Sequence, residues 1–234
     1  ELYRSIFDEF VDTLGASIRL AGIGGLKDYD KMISAGKSNE LISYDIKKIN
    51  ELNARIKTQL ASHKELEIAA RQYDLMLSSK PAIQPIDNRE LTRLASGFGW
   101  RIHPILKVKK FHYGIDFTAK RGTPIYATGD GKISKVKTSL GGYGKEIEID
   151  HGFGYVTKYA HLQKFDVKLG RKVKRGDVIG EVGSTGSSTA PHLHYEIIYK
   201  GKKVNPVFYF YKDLNDEQFE EILRLASIEN KSLS

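Results

Sequence analysis

The 234-residue chain contains no cysteine, only six prolines, two methionines and a single tryptophan. Without thiols there is no disulfide framework and no Cys-ligated centre, so any metal must be held by His, Asp or Glu. A thiol-free chain suits an oxidising compartment, although cytosolic chains can lack cysteine too. No stretch approaches the roughly 18 apolar residues of a membrane span, and no signal-peptide pattern is present. The first residue is Glu1 rather than Met, which leaves room for a removed leader or a membrane anchor in a full-length precursor.

What is present is ordinary for a globular chain: 40% hydrophobic and 28% charged residues. The net charge of +8 is unevenly spread. Residues 1–95 carry 14 Lys+Arg and 14 Asp+Glu, residues 96–210 carry 20 and 9, and residues 211–234 carry 3 and 6. The middle stretch is a basic module, suited to nucleic acid, anionic lipid or a carboxylate-rich polymer. A solvated lysine-rich surface would give the same count. No nucleic-acid-binding motif is recognisable and the aromatics are not interleaved with the basic runs, so no nucleic-acid partner is expected.

Periodicity divides the chain. Phe7, Phe10, Val11, Leu14, Ile18 and Ala21 recur at helical steps, and this helix should end at Gly24-Gly25. A second run, Ile42, Ile46, Ile49, Leu52, Ile56 and Leu60, then Leu66, Ala69, Tyr73 and Met76, continues for about forty residues without Pro or Gly. It predicts one long helix or half of a hairpin, with coiled-coil potential. Bare amphipathic helices need a covering surface, so these stripes are expected to pack on the chain's own β domain or on a second subunit. Pro81 and Pro85 then mark a linker or extended arm.

From about Leu91 the texture becomes short β-rich runs between glycines, with strands expected over 114–119, 131–139, 145–150, 155–162, 177–182 and 192–199. Helix is not expected among them, so the domain should be antiparallel. A last helix is expected over 216–228. The expected organisation is a helical region at 1–80, a linker at 81–91, a β domain at 92–210 and a C-terminal helical segment at 211–234. The fold class is therefore mainly β, an antiparallel sheet or sandwich with a groove, preceded by helix and followed by a short helix.

Six of the seven histidines, His103, His112, His151, His161, His192 and His194, fall in the β module; His63 sits on the long helix as a surface residue. In His192-Leu193-His194 the imidazoles are two apart, which on a strand puts both on one face, with Glu196 next along it. In His112-Tyr113-Gly114-Ile115-Asp116 the spacing of four does the same on an extended segment. These nitrogen and oxygen donors form a set suited to zinc. Tyr159-Ala160-His161-Leu162 supplies a third candidate. His103 and Arg101 are candidates for the groove lining, with packing an equal role for His103. His151 is expected in a turn, and Glu146, Glu148 and Asp150 on a solvated strand face. Glu196 is expected either to orient a ligand or to be a surface charge.

With these residues in place the sequence resembles the M23 metallopeptidases, the LytM or lysostaphin-type family, over about residues 92–210. Ser96-Gly97-Phe98-Gly99-Trp100-Arg101-Ile102-His103-Pro104 is similar to the opening segment of such domains, followed by His112-Tyr113-Gly114-Ile115-Asp116-Phe117. Tyr159-Ala160-His161-Leu162 is similar to the central motif. Val182-Gly183-Ser184-Thr185-Gly186 with Pro191-His192-Leu193-His194-Tyr195-Glu196 is similar to the closing one, and Val204-Asn205-Pro206 to the exit. The resemblance implies that His112, Asp116 and His194 ligate one zinc ion per chain and that His161 and His192 are non-ligand catalytic histidines. It implies a peptidoglycan endopeptidase of the D,D type, acting on stem peptides in the periplasm or cell envelope, inner-membrane anchored in its full-length form. The helical prelude and the opening at 99–104 favour the Gram-negative members, which cut direct stem-to-stem cross-links and some of which set cell shape, over lysostaphin-like members, which cut glycine bridges. Residues 1–80 are then expected to serve regulation or homo- or hetero-oligomeric assembly.

Two other readings compete. Gly186 followed by His192-x-His194 matches the start of a cupin motif, but the glutamate then required falls on Ile198 or Tyr199, and that reading fails. A latent or non-enzymatic scaffold that activates another cell-wall hydrolase is the other, and the intact set of five site residues argues against it.

Overall fold

The computed structural model describes residues 35–36, 38–87, 93–102, 108–211, 217 and 220. The helices expected over 1–24 and 216–228 lie outside the described residues, save Glu217 and Glu220, as does His103. Packing divides the chain into two units, with the boundary between Tyr73 and Asp74.

In the first unit, helix α1 (Ser38–Ser79) runs through the division. It holds no Pro or Gly, and it carries the ion pairs Lys48–Glu51 (3.1 Å) and Glu67–Arg71 (2.6 Å) at helical spacing. In the single chain Ile42, Ile46, Ile49, Leu52, Ile56 and Leu60 are each more than half exposed. Among the described residues no helix is long and apolar enough to cross a membrane.

The second unit begins with the last turn of α1. Pro81 stops the helix, and Arg175 satisfies its end: Nη2 donates to the carbonyls of Leu77 (2.7 Å), Ser78 (2.8 Å) and Lys80 (2.9 Å). A cation there also opposes the negative end of the helix dipole. Residues 81–87, expected as part of a linker, instead pack into the domain. Ala82, Gln84 and Ile86 are buried, Ala82 N–H donates to Thr128 O (3.0 Å) and Tyr126 N–H to Pro85 O (2.8 Å). Ala82 and Ile86, both buried, draw this segment inward.

Among the described residues thirteen strands follow. They are β1 (Arg93–Ser96), β2 (Gly99–Ile102), β3 (Lys109–His112), β4 (Ile115–Thr118), β5 (Pro124–Tyr126), β6 (Gly131–Thr138) and β7 (Lys145–Gly152). Then come β8 (Tyr155–Ala160), β9 (Leu162–Phe165), β10 (Lys172–Val173), β11 (Val178–Val182), β12 (His192–Tyr199) and β13 (Lys202–Val204), with a 3-10 turn at Pro206–Tyr209. The large sheet has the order β1-β4-β12-β8-β7-β6-β10, with β13 also paired to β12; β5-β11-β9 form a second sheet and β2-β3 a hairpin. Every pairing among the described strands is antiparallel, and no helix lies between those strands among the described residues.

Strand alternation separates core from site. Ile115 and Phe117 of β4 and Leu193, Tyr195 and Ile197 of β12 join Ile125, Ile179 and Leu162 of the second sheet in one core. The intervening residues Asp116, His192, His194 and Glu196 therefore share the opposite face. The segment His112–Asp116 is divided between two strands: β3 ends at His112, and the chain bends at Gly114 before β4. The run 155–162 is also broken, because His161 takes φ +62° and separates β8 from β9.

Candidate metal centre and its flanking histidines

Register brings the first three residues together. β12 pairs with β4 so that His194 lies opposite Asp116, and the bend at Gly114 swings His112 back over them. A Cβ at Gly114 would collide with the carbonyl of Tyr195 and come within 2.9 Å of the His194 ring, so the close approach needs glycine. His112 Nε2 lies 3.0 Å from His194 Nδ1 and 3.2 Å from Asp116 Oδ1, and His194 Nδ1 lies 2.9 Å from the same Oδ1. All three side chains are buried.

Their outer contacts decide where the protons sit. His112 Nδ1–H donates to Gly97 O (2.7 Å), and His194 Nε2 faces Glu196 Oε1 (3.0 Å) as donor. In these tautomers His112 Nε2, His194 Nδ1 and Asp116 Oδ1 turn three lone pairs towards one another, an arrangement that calls for a cation. Burial lowers the pKa of His112 despite Asp116 beside it. Burial would raise Asp116, but His112 and His194 hold it well below the usual carboxylate range. Burial opposes the charging of His194, yet hydrogen bonds to Asp116 and Glu196 raise its pKa.

His161 and His192 stand alongside, with ring centroids 4.7 Å apart, and His161 lies 6.1 Å from His194. Both rings are fixed through Nδ1–H: His161 donates to Thr185 O (2.7 Å) and His192 to Ala190 O (2.8 Å). Each then keeps its Nε2 lone pair. His192 Nε2 is buried without a hydrogen-bond partner and sits 3.9 Å from Asp116 Oδ1. Burial, with the neighbouring His192, brings His161 down to about 4; burial also lowers His192. Both are neutral at pH 7, the state in which an imidazole accepts a proton. The left-handed backbone of His161 is strained for a side-chain-bearing residue.

Several neighbours depart from what the sequence alone indicated. Arg101 does not line an open groove; it is buried, with Nη1 2.8 Å from Asp116 Oδ2, which leaves Oδ1 for the centre. Glu196 is fully buried behind His194, and although burial would raise it, His194, Tyr143 and Lys203 bring its pKa to about 2. Glu146 is buried and paired with Lys135 (2.8 Å) rather than solvated. Tyr143 escaped the sequence reading altogether, because its partner Glu196 is 53 residues away.

His151 is no surface turn residue. It is buried, with Nδ1–H donating to Asp130 O (2.8 Å) and Nε2 facing Thr157 Oγ1 (2.7 Å), at the head of a polar chain through Tyr159, Thr128 and Tyr195. Burial depresses its pKa from 6.5 to about 4. The unfolded chain therefore binds an extra proton between those values, and the stability His151 contributes is intact above about pH 6.5 and lost as pH falls towards 4. The loss should be of the order of 3 kcal/mol. Urea unfolding of wild type and His151→Gln should show the wild-type advantage shrinking across that window; an advantage independent of pH would contradict it.

Comparison with known proteins agrees with this geometry. Residues 110–206 match Peptidase family M23, so the β domain carries an M23 peptidase domain. Over 116 residues it is 52% identical to the DD-carboxypeptidase/endopeptidase Mpg of Neisseria meningitidis, covering 50% of this chain and 26% of that protein. It is 46% identical over 123 residues to the peptidoglycan DD-endopeptidase ShyA of Vibrio cholerae, covering 52% and 28%. A crystal structure of a zinc-containing peptidase from Vibrio cholerae superposes with a TM-score of 0.51 at 36% identity, covering 58% of this chain and 41% of that one. The chain thus spans only about a quarter of the length of these curated relatives.

Proposed function

We propose that this chain is a zinc-dependent endopeptidase that hydrolyses peptide cross-links of bacterial peptidoglycan. The observation that carries the reading is the triangle of His112 Nε2, His194 Nδ1 and Asp116 Oδ1, with edges of 2.9, 3.0 and 3.2 Å. Tetrahedral zinc with bonds of about 2.0–2.1 Å needs donor separations of about 3.3 Å, so the donor set fits both in kind and in spacing. Three protein donors leave a fourth position, as a catalytic rather than a structural zinc requires. Bound there, zinc supplies Lewis acidity that acidifies water and polarises a carbonyl.

The chain's own residues supply the rest. His161 and His192 hold their Nε2 lone pairs for proton transfer, tethered at Nδ1 so that the rings cannot turn. One takes the proton of the attacking water; a protonated imidazole of the pair then donates to the developing oxyanion or the leaving amine. Arg101 holds Asp116 by its other oxygen.

The substrate assignment draws on the activities for which the relatives are named and on the basic domain, to which stem-peptide carboxylates are attracted. A periplasmic, cell-envelope location fits that substrate, as does a part in wall remodelling. The exposed row on α1 supports assembly, as a homo- or hetero-oligomer, through the helical region. The test is to digest purified sacculi with the protein at one equivalent of zinc and identify the muropeptides. Conversion of cross-linked dimers to monomers is expected, abolished by a chelator and restored by zinc. Intact dimers after digestion with metal-loaded protein would overturn the reading.

A further inference from the structure

His194 lies between two carboxylates. Asp116 Oδ1 is 2.9 Å from Nδ1 and Glu196 Oε1 is 3.0 Å from Nε2. A neutral imidazole carries one proton, so the two acids compete for it. A proton drawn to Nδ1 would point into the donor triangle and block it; a proton held at Nε2 leaves the Nδ1 lone pair free. Whatever fixes Glu196 therefore decides whether the centre can bind a cation.

Two side chains do that. Tyr143 O–H donates to Glu196 Oε1 (2.7 Å), while Lys203 Nζ lies 3.1 Å from Oε1 and 3.0 Å from Oε2. Glu196 is fully buried, and a carboxylate there needs a counter-charge and filled acceptor sites. Lys203 arrives on β13, which pairs alongside β12, and lies over the Tyr113 ring at 4.7 Å. The Tyr143 ring also packs 5.5 Å from the His194 ring, with Lys158 4.3 Å above it. The same residue reaches the second pair of histidines, since its carbonyl accepts His161 N–H (2.9 Å).

We propose that Tyr143 and Lys203 are positioning residues that clamp Glu196 as the acceptor of His194 Nε2–H, thereby keeping the Nδ1 lone pair directed into the donor triangle. The inference rests on the metal-centre reading above, but the clamp can be tested without the metal. Nitrogen-15 spectra of the histidine rings in metal-free protein, recorded well above the imidazole titration range, report which nitrogen of His194 carries the proton. Wild type should show Nε2–H, and Glu196→Gln, Tyr143→Phe and Lys203→Met should move population to Nδ1–H.

Zinc affinity measured by chelator competition should fall about 10–100-fold in Glu196→Gln and about 3–10-fold in each single clamp variant. The Tyr143→Phe/Lys203→Met double variant should approach Glu196→Gln, because Glu196 without either clamping partner is no longer held as a carboxylate acceptor at Nε2. If His194 keeps its proton on Nε2 and zinc binds equally well in the single and double variants, the clamp is overturned while the metal reading stands. If wild type fails to bind zinc, the metal reading falls, and the ring spectra still decide the clamp.

Discussion

His161→Ala should keep a full equivalent of zinc and lose about 10²–10⁴-fold in hydrolysis. The imidazole is outside the donor triangle, 6.1 Å ring to ring from His194, so its removal takes no donor from the centre. What is lost is a neutral base whose Nδ1–H is tied to Thr185 O, leaving Nε2 for the reacting groups. His192→Ala should behave alike, since its orphaned Nε2 is buried 3.9 Å from Asp116 without accepting a hydrogen bond. Metal content, circular dichroism and muropeptide turnover measured on both variants separate binding from chemistry. Loss of zinc from either one would move that histidine from the proton-transfer pair to the donor set.

Much of this site was legible because strand alternation is short-range. His192-x-His194-x-Glu196 needs only a period of two to share a face, and β12 obeys it over its full eight residues. The antiparallel class was legible from short β runs without helices between them. What escaped depends on contacts distant in sequence. Nothing local to Arg101 announces that it will lie 15 residues away against Asp116, or that Tyr143 will close on Glu196. The backbone inversion at His161 was equally hidden, because a β-rich run such as Tyr155–Ala160 gives no sign of where it breaks. The arm at 81–87 was misread because prolines suggest a linker, whereas Ala82 and Ile86 carry enough apolar surface to bury it.

Asp116→Ala should remove the zinc and with it essentially all hydrolysis, and it should also destabilise the fold. The first effect follows from taking away the one anionic donor of three, since two neutral imidazoles alone do not compensate a dication in a buried site. The second follows from Arg101, whose guanidinium is buried with its Nη1 2.8 Å from Asp116 Oδ2. Breaking a buried pair from one side leaves the other charge uncompensated, at a cost of about 3–5 kcal/mol. The two consequences can be separated by adding Arg101→Met, which removes the stranded charge and roughly conserves volume. Urea unfolding of Asp116→Ala/Arg101→Met should then recover much of the lost stability, while zinc content and turnover remain at background. A single Asp116→Ala variant that still holds a full equivalent of zinc would remove the proposed centre, whatever its stability. A double variant as unstable as the single one would show that Arg101 serves a purpose other than neutralising Asp116.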